Sequence, residues 1–207
     1  MKHVASFSFL ALALILFTTA PVDAQQRADG ERPNVTFQLG GGATVPLSPS
    51  ELTDVADTGF NLTGAAGISV TQELEVVLSV TYNELATDFD PDGTLPPDAD
   101  VDSDFTILSG EVNLKYNLPL EASFTPYLTA GGGIYNLEAT LSVSVPGVGE
   151  VSESESETDV GINIGAGLAF PLANNVGFFV EPRYTVVFTE EDNAQYLPIR
   201  AGITVAI

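Results

Sequence analysis

The sequence has no cysteine and a single histidine, His3, and it sets only 6 Lys and Arg against 28 Asp and Glu. Each shortage excludes something. Without cysteine there is neither a disulfide framework nor a thiolate metal site, so packing and hydrogen bonding must hold the fold. His3 falls in a segment expected to be removed, so the mature chain offers no imidazole or thiol for nucleophilic or general-base work, and it is expected not to be an enzyme. The formal net charge of -22 excludes nucleic acid and anionic headgroups as direct partners, because both are polyanions. Cations are the natural counterpart. Long apolar runs are missing too: Val4 to Phe17 falls short of the roughly 18 to 20 residues of a spanning helix, and nothing later supplies such a run.

What is present begins with that apolar run. Lys2 and His3 precede it, Pro21 follows it, and Val22-Asp23-Ala24 closes it with a small-residue site. Residues 1–24 therefore read as an export signal cleaved before Gln25. Residues 25–34 are expected to form a short periplasmic tail and residues 35–207 one domain, since no Pro/Gly/Ser linker divides them.

From Val35 onward apolar residues recur at every second position, the period of a strand. The first set is Val35, Phe37, Leu39, and the pattern returns in Phe60 to Val70, Leu74 to Tyr82, Leu108 to Tyr116, Leu128 to Ile134, Val160 to Phe170, Phe178 to Phe188 and Leu197 to Ile207. Eight such sets, each near the roughly 9 to 11 tilted residues needed to cross hydrocarbon, exceed the mode of about 5 to 6 residues in soluble sheets. The connections alternate in length. Residues 46–59, 84–104 and 139–158 are read as long loops, 189–195 as a shorter acidic one, and the others, such as Thr71-Gln72-Glu73, as tight turns. Long loops on one side and tight turns on the other is the layout of an eight-stranded antiparallel up-and-down transmembrane β-barrel.

The second face of the strands separates a membrane barrel from a soluble one. Opposite the apolar positions stand Thr36, Gln38, Gly40, Asn61, Thr63 and Asn163, small and neutral as suits a cramped interior, whereas a watery face would be rich in Lys and Glu. The few charges on that face are Glu75, Glu111 and Glu181 against Lys115, Arg183 and Arg200. Unpaired buried charge is costly, so these are expected to pair across the lumen. Val77, Phe105, Ile107, Tyr135, Phe179 and Val187 also fall on the polar face and are expected to plug the barrel mouths. Tyr82, Tyr116, Tyr127, Phe170, Phe178, Phe188 and Tyr196 stand near strand ends, where interfacial aromatic girdles belong.

Three segments, "TPYLTAGGGIY" (Thr125 to Tyr135), "GINIGAGLAFPL" (Gly161 to Leu172) and "FFVEPRYTVVF" (Phe178 to Phe188), together resemble the small outer-membrane barrel family that includes the opacity proteins. The resemblance runs from about Asn34 through the rest of the chain. It implies an outer-membrane surface protein with a structural, adhesive or narrow-channel role and no shared enzyme activity. One departure is Ile207, where such barrels usually end in Phe or Tyr as part of their assembly signal.

Few constellations carry chemistry. Asp57-Thr58-Gly59 matches the aspartic-protease tripeptide, but a shared-proton dyad needs a second copy, and a loop turn explains it. The glycine triplets 40–42 and 131–133 lie inside strands with no Gly-Lys-Ser/Thr after them, so they are not phosphate loops. Asp88-Phe89-Asp90-Pro91-Asp92-Gly93 reproduces the start of a calcium loop, with Leu95 at the apolar eighth position but Ala99 where a bidentate acid should stand. Asp98 and Asp100 offer further oxygens, so Asp88, Asp90, Asp92, Asp98 and Asp100 form a candidate calcium site, the only cofactor expected; a solvated acidic loop is the plain alternative. The four outward connections carry many acids and no Lys or Arg, which suits a saline habitat as well as it suits ordinary variable loops.

The expected protein is thus a monomeric outer-membrane barrel with a charge-paired, plugged lumen. Its acidic extracellular loops would serve envelope structure, cation binding or contact with an extracellular partner. Its expected partners are membrane lipid and divalent cations, not nucleic acid. A narrow porin-like channel is the alternative, and a soluble periplasmic ligand-binding barrel a third reading, which would need the apolar face inside.

Overall fold

The computed structural model describes residues 35–50, 53, 56–87, 100–120, 122–145, 149–190 and 192–207. The expected signal 1–24 and tail 25–34 lie outside them. Eight strands follow in chain order: β1 (Val35–Ser48), β2 (Ala56–Ser69), β3 (Leu74–Thr87), β4 (Asp100–Asn117), β5 (Thr125–Val145), β6 (Gly149–Ala173), β7 (Val176–Val187) and β8 (Ala194–Ala206). Each pairs antiparallel with the next, and β1 pairs with β8 from Thr36↔Ala206 to Ser48↔Gln195, which closes the barrel. Closure satisfies the backbone inside hydrocarbon, where an open edge would leave donors and acceptors without water.

The tight turns follow from local chemistry. Between β2 and β3 the Thr71 hydroxyl accepts from the Glu73 and Leu74 N–H groups at 3.2 and 3.0 Å, holding the reversal. Between β6 and β7 the reversal is Asn174-Asn175, a residue type that tolerates left-handed backbone, and Asn175 Nδ2 donates to the Ala206 carbonyl at 3.0 Å. These turns share the barrel end that holds Val35 and Ile207, which are joined by an N–H to carbonyl bond of 3.0 Å.

Around the barrel the apolar row faces outward: Leu39, Leu62, Leu78, Val112, Ile134, Ile164 and Ile203 are all exposed. The opposite row is buried and polar, with Thr63, Thr81, Asn113, Thr129, Asn163 and Thr185 among its members. The chain is an eight-stranded antiparallel barrel with the apolar side out, so the soluble alternative with its apolar face inside does not hold.

The connections differ from expectation. Residues 84–87, 100–104, 139–145 and 149–158, read from sequence as loop, are strand; so are 46–48 and 56–59. The β4–β5 ladder runs on to Asp100↔Ser144 and β5–β6 to Val145↔Gly149, whereas β6–β7 stops at Gly161↔Val187. The alternation had not ended there; it had changed phase. Beyond Leu108, Ile134 and Val160 the outward positions become Asp104, Thr106, Glu138, Thr140, Ser156 and Thr158, while Ile107 and Leu137 are buried on the inner row and Phe105 half-buried. A search for apolar residues on one fixed face stops at this inversion, where the outward row changes from apolar to polar.

Candidate functional site

The barrel interior gathers the six charges that the sequence singled out, in two groups. Near the tight-turn end, Glu75 of β3 and Lys115 of β4 are direct cross-strand partners, with Nζ 3.3 Å from Oε2. The Thr36 hydroxyl donates to the other carboxylate oxygen, and Lys115 Nζ lies 4.5 Å from the centre of the Tyr127 ring, a cation–π distance. This pair forms part of a depression of about 280 Å³ that also includes Asn117, Phe178 and Thr204.

Deeper in, Glu111, Glu181, Arg183 and Arg200 form one network. Arg183 Nη1 stands 2.5 Å from Glu111 Oε2, its Nη2 is 2.8 Å from Glu181 Oε1, and its Nε donates to the same oxygen at 3.0 Å. Arg200, paired with Glu181 across β7 and β8, donates to that oxygen as well and to Thr63 Oγ1 at 3.2 Å. Glu111 also accepts from Ser109 at 2.9 Å, from Ser79 and Asn113 at 3.3 Å each, and from Asn163 at 3.4 Å. All four charged residues are buried. Taking such groups out of water costs several kcal/mol per ion on the order-of-magnitude scale, and only dense pairing and hydrogen bonding offsets it.

Toward the other end the interior turns apolar. Ile107, Tyr135, Leu137, Val187, Ala194 and Tyr196 pack together, with Phe105 against them and against Ala56 and Leu85. Val77 and Phe179 are buried nearer the tight-turn end. Two aromatic expectations need correction: Tyr127 and Tyr196 are not in the interfacial girdle but inside the barrel, at 2% and 1% exposure. Parity decides this, because Leu128 and Leu197 take the outward positions beside them. Tyr82, Tyr116 and Phe188 do face outward, as do Phe170 and Phe178, whose ring centres are 6.2 Å apart.

The interior aromatics account for two of the strand glycines. A β-carbon at Gly161 would stand 2.7 Å from Tyr135 Cε2, and one at Gly167 would enter the ring of Tyr127. Each ring packs where the neighbouring strand has no side chain, a device that pins the strand register. Sequence reasoning had Tyr135 and both glycines on the inner face but missed this pairing, which the parity of Tyr127 would have revealed.

The candidate calcium loop lies outside the described residues except for the backbone of Asp100. Asp88, Asp90, Asp92 and Asp98 lie outside the described part; Asp100 opens β4 with its backbone opposite Ser144, and its side chain also lies outside the description. Among the described residues no group of three or more His, Cys, Asp or Glu is arranged to hold a metal ion. Asp57 of the Asp-Thr-Gly tripeptide is exposed near the start of β2, where its backbone pairs with Ala86. On the outer surface just beyond the apolar belt, Tyr82 donates to Glu84 at 2.7 Å, with Asp104 and Glu138 close by.

The family model described as the outer membrane protein beta-barrel domain matches residues 9–205. Among solved structures, Neisserial surface protein A superposes with a TM-score of 0.57 at 18% identity, covering 86% of this chain and 100% of that one. A major outer membrane protein from Thermus thermophilus gives 0.54 at 11% identity, covering 84% and 99%. The outer membrane protein OprG from Pseudomonas aeruginosa gives 0.51 at 11%, covering 87% and 99%. At these identities the likeness establishes the fold. No curated protein sequence matches the chain.

Proposed function

This chain belongs to the outer membrane protein beta-barrel domain family, and from that premise we propose that it is a non-enzymatic surface barrel: a closed, charge-paired stave that holds acidic strands and loops outside the cell. One observation carries the reading. Of the six Lys and Arg residues, Lys2, Arg27 and Arg32 precede the barrel, and the three within it, Lys115, Arg183 and Arg200, are all buried against carboxylates in the lumen. Every other acid of the barrel therefore has no basic side chain of the barrel to meet it. The cations serve the interior, and the acids serve the outside.

Residues 1–24 act as the export signal in this reading, and the barrel works as a monomer. The apolar layer of Ile107, Tyr135, Val187 and Tyr196 above the ion network supports a plugged bore. Divalent cations are the natural counterions of the acidic end, with Asp88, Asp90, Asp92, Asp98 and Asp100 the densest oxygen source. Its exposed acids also suit contact with an extracellular partner. The absence of His and Cys after residue 24 supports the lack of enzymatic chemistry.

Planar-bilayer recording of the refolded barrel tests the plugged lumen. No steady conductance is expected. A steady ohmic conductance favours the narrow-channel reading, which draws on the hydroxyl- and amide-lined walls around Thr63, Thr81, Asn113 and Thr129. Calorimetric titration tests the cation: heat from calcium that exceeds that of an Asp88→Ala/Asp90→Ala/Asp92→Ala variant supports the loop site, and equal heats dismiss it.

A further inference from the structure

β6 outruns its neighbour. It pairs with β5 along its whole projecting length, but its other side pairs with β7 only as far as Gly161↔Val187, with one last bond of 3.0 Å from the Phe188 N–H to the Val160 carbonyl. Among the described residues no strand pairs with that side from Gly149 to Asp159, and Val151 to Thr158 are exposed. From Val151 to Asp159 this is a sheet edge about 30 Å long at about 3.3 Å per residue, whose backbone on that side meets no strand among the described residues.

Such edges are usually blunted by proline, a bulge, shortness or charged side chains, lysine above all. Of these, this one carries only charge, and that of a single sign, which a basic partner would neutralise. Gly149 to Asp159 contains no proline or lysine, its ladder with β5 runs without a register shift, and bonds from Asn136 Nδ2 to the Glu157 carbonyl and to Thr158 Oγ1, 3.2 and 2.9 Å, hold it in place. Its side chains sort by face. Glu153, Glu155 and Glu157 share one row, and Ser152, Ser154, Ser156 and Thr158 the other. On the β5 side the three glutamates lie opposite Leu141, Ala139 and Leu137, none of which can neutralise them.

We propose that this open edge is a strand-addition site for an extended segment of another protein that carries Lys or Arg at every second position and small or hydroxyl-bearing residues between. The added backbone would complete the ladder, its basic row would fall beside Glu153, Glu155 and Glu157, and its other row would continue the hydroxyl face. A second copy that meets this edge antiparallel, as from an apposed membrane, does not fit, because such pairing sets glutamate rows side by side, and like charges opposite one another destabilise a sheet. The inference rests on the reading of the acidic end as an interaction surface and names the partner chemistry for it.

The test uses the full mature barrel in phosphatidylcholine nanodiscs and a peptide of alternating lysine and threonine, about nine residues long to match the edge. Two controls have the same charge: a block peptide with all lysines first, and an alternating peptide N-methylated at every residue so that its backbone cannot donate. Binding of the alternating peptide, with slowed amide exchange confined to the β6 edge, is expected. The block and N-methylated peptides and a Glu153→Gln/Glu155→Gln/Glu157→Gln barrel should each bind roughly tenfold more weakly, the order expected from losing a few exposed ion pairs or the ladder itself. Equal binding of all three peptides without amide protection means diffuse charge attraction and overturns the proposal. So does a peptide-free dimer joined through this edge. Planar-bilayer conductance of the same refolded protein reports separately on the plugged lumen, so the two readings fail independently.

Discussion

Within the single strand β6, residues 160–170 and residues 151–159 keep one alternation and reverse its chemistry. In the first stretch Val160, Ile162 and Ile164 face out, and Gly161, Asn163 and Gly167 are buried. In the second, Ser152, Ser154, Ser156 and Thr158 continue the outward row, and Glu153, Glu155 and Glu157 continue the inward one, exposed. The solvent differs, so the rule for charge differs. Inside the barrel, where water is scarce, three glutamates meet three cations at close range, because an unmatched ion there is costly. Beyond the belt, glutamates stand in a row without a cation, since hydration and salt temper their repulsion.

The largest effect should come from unbalancing the first region. Arg183→Ala leaves Glu111 and Glu181 without their shared guanidinium and is expected to cost about 3 to 5 kcal/mol in urea unfolding from vesicles; a loss within about 0.5 kcal/mol would mean that water already fills the network. Next is the belt itself. Ile164→Arg should cost roughly 2 to 4 kcal/mol, as a basic residue at mid-bilayer does, while Thr158→Arg, on the same row six residues away, should cost less than about 0.5 kcal/mol. Similar losses in the two would abolish the boundary drawn between them. Gly161→Val drives side-chain atoms into the Tyr135 ring and should cost about 1 to 3 kcal/mol by overpacking, with Tyr135→Ala restoring part of it. The smallest effect concerns the second region. Raising salt from about 0.1 to 1 M shortens the screening length from about 10 to 3 Å, so proteolytic cleavage between β3 and β4, at 88–99, should slow. No protection would separate the acidity from any saline habitat.

Much of this was legible in the sequence, for identifiable reasons. Period two is a local signal, so the eight strands and their outward rows could be read from Phe37 to Val205 without knowing any contact. The six interior charges stood out because no other acid or base lies on that face within the eight apolar-alternating stretches. Which carboxylate meets which cation was not legible: Glu181 bonds both arginines and Glu111 bonds Arg183 from across the lumen, facts of register and barrel curvature rather than spacing. The projecting strands were missed because Leu137, Phe105 and Ile107 moved to the inner row where the environment changed, and a fixed-face search reads that as the end of a strand. Tyr127 and Tyr196 were misplaced by attending to their distance from strand ends instead of their parity.

The most direct test of the central claim uses the missing cysteine. Single cysteines can be placed at even positions along β6 from 152 to 168 with no background thiol, spin-labelled, and exposed to a water-soluble or a lipid-soluble relaxation agent in bilayers. Positions 160 to 168 should respond to the lipid-soluble agent and 152 to 158 to the aqueous one, with the crossover between 158 and 160. Aqueous access along the whole row, or a crossover deep within 160 to 168, would contradict the assignment of faces on which the account rests.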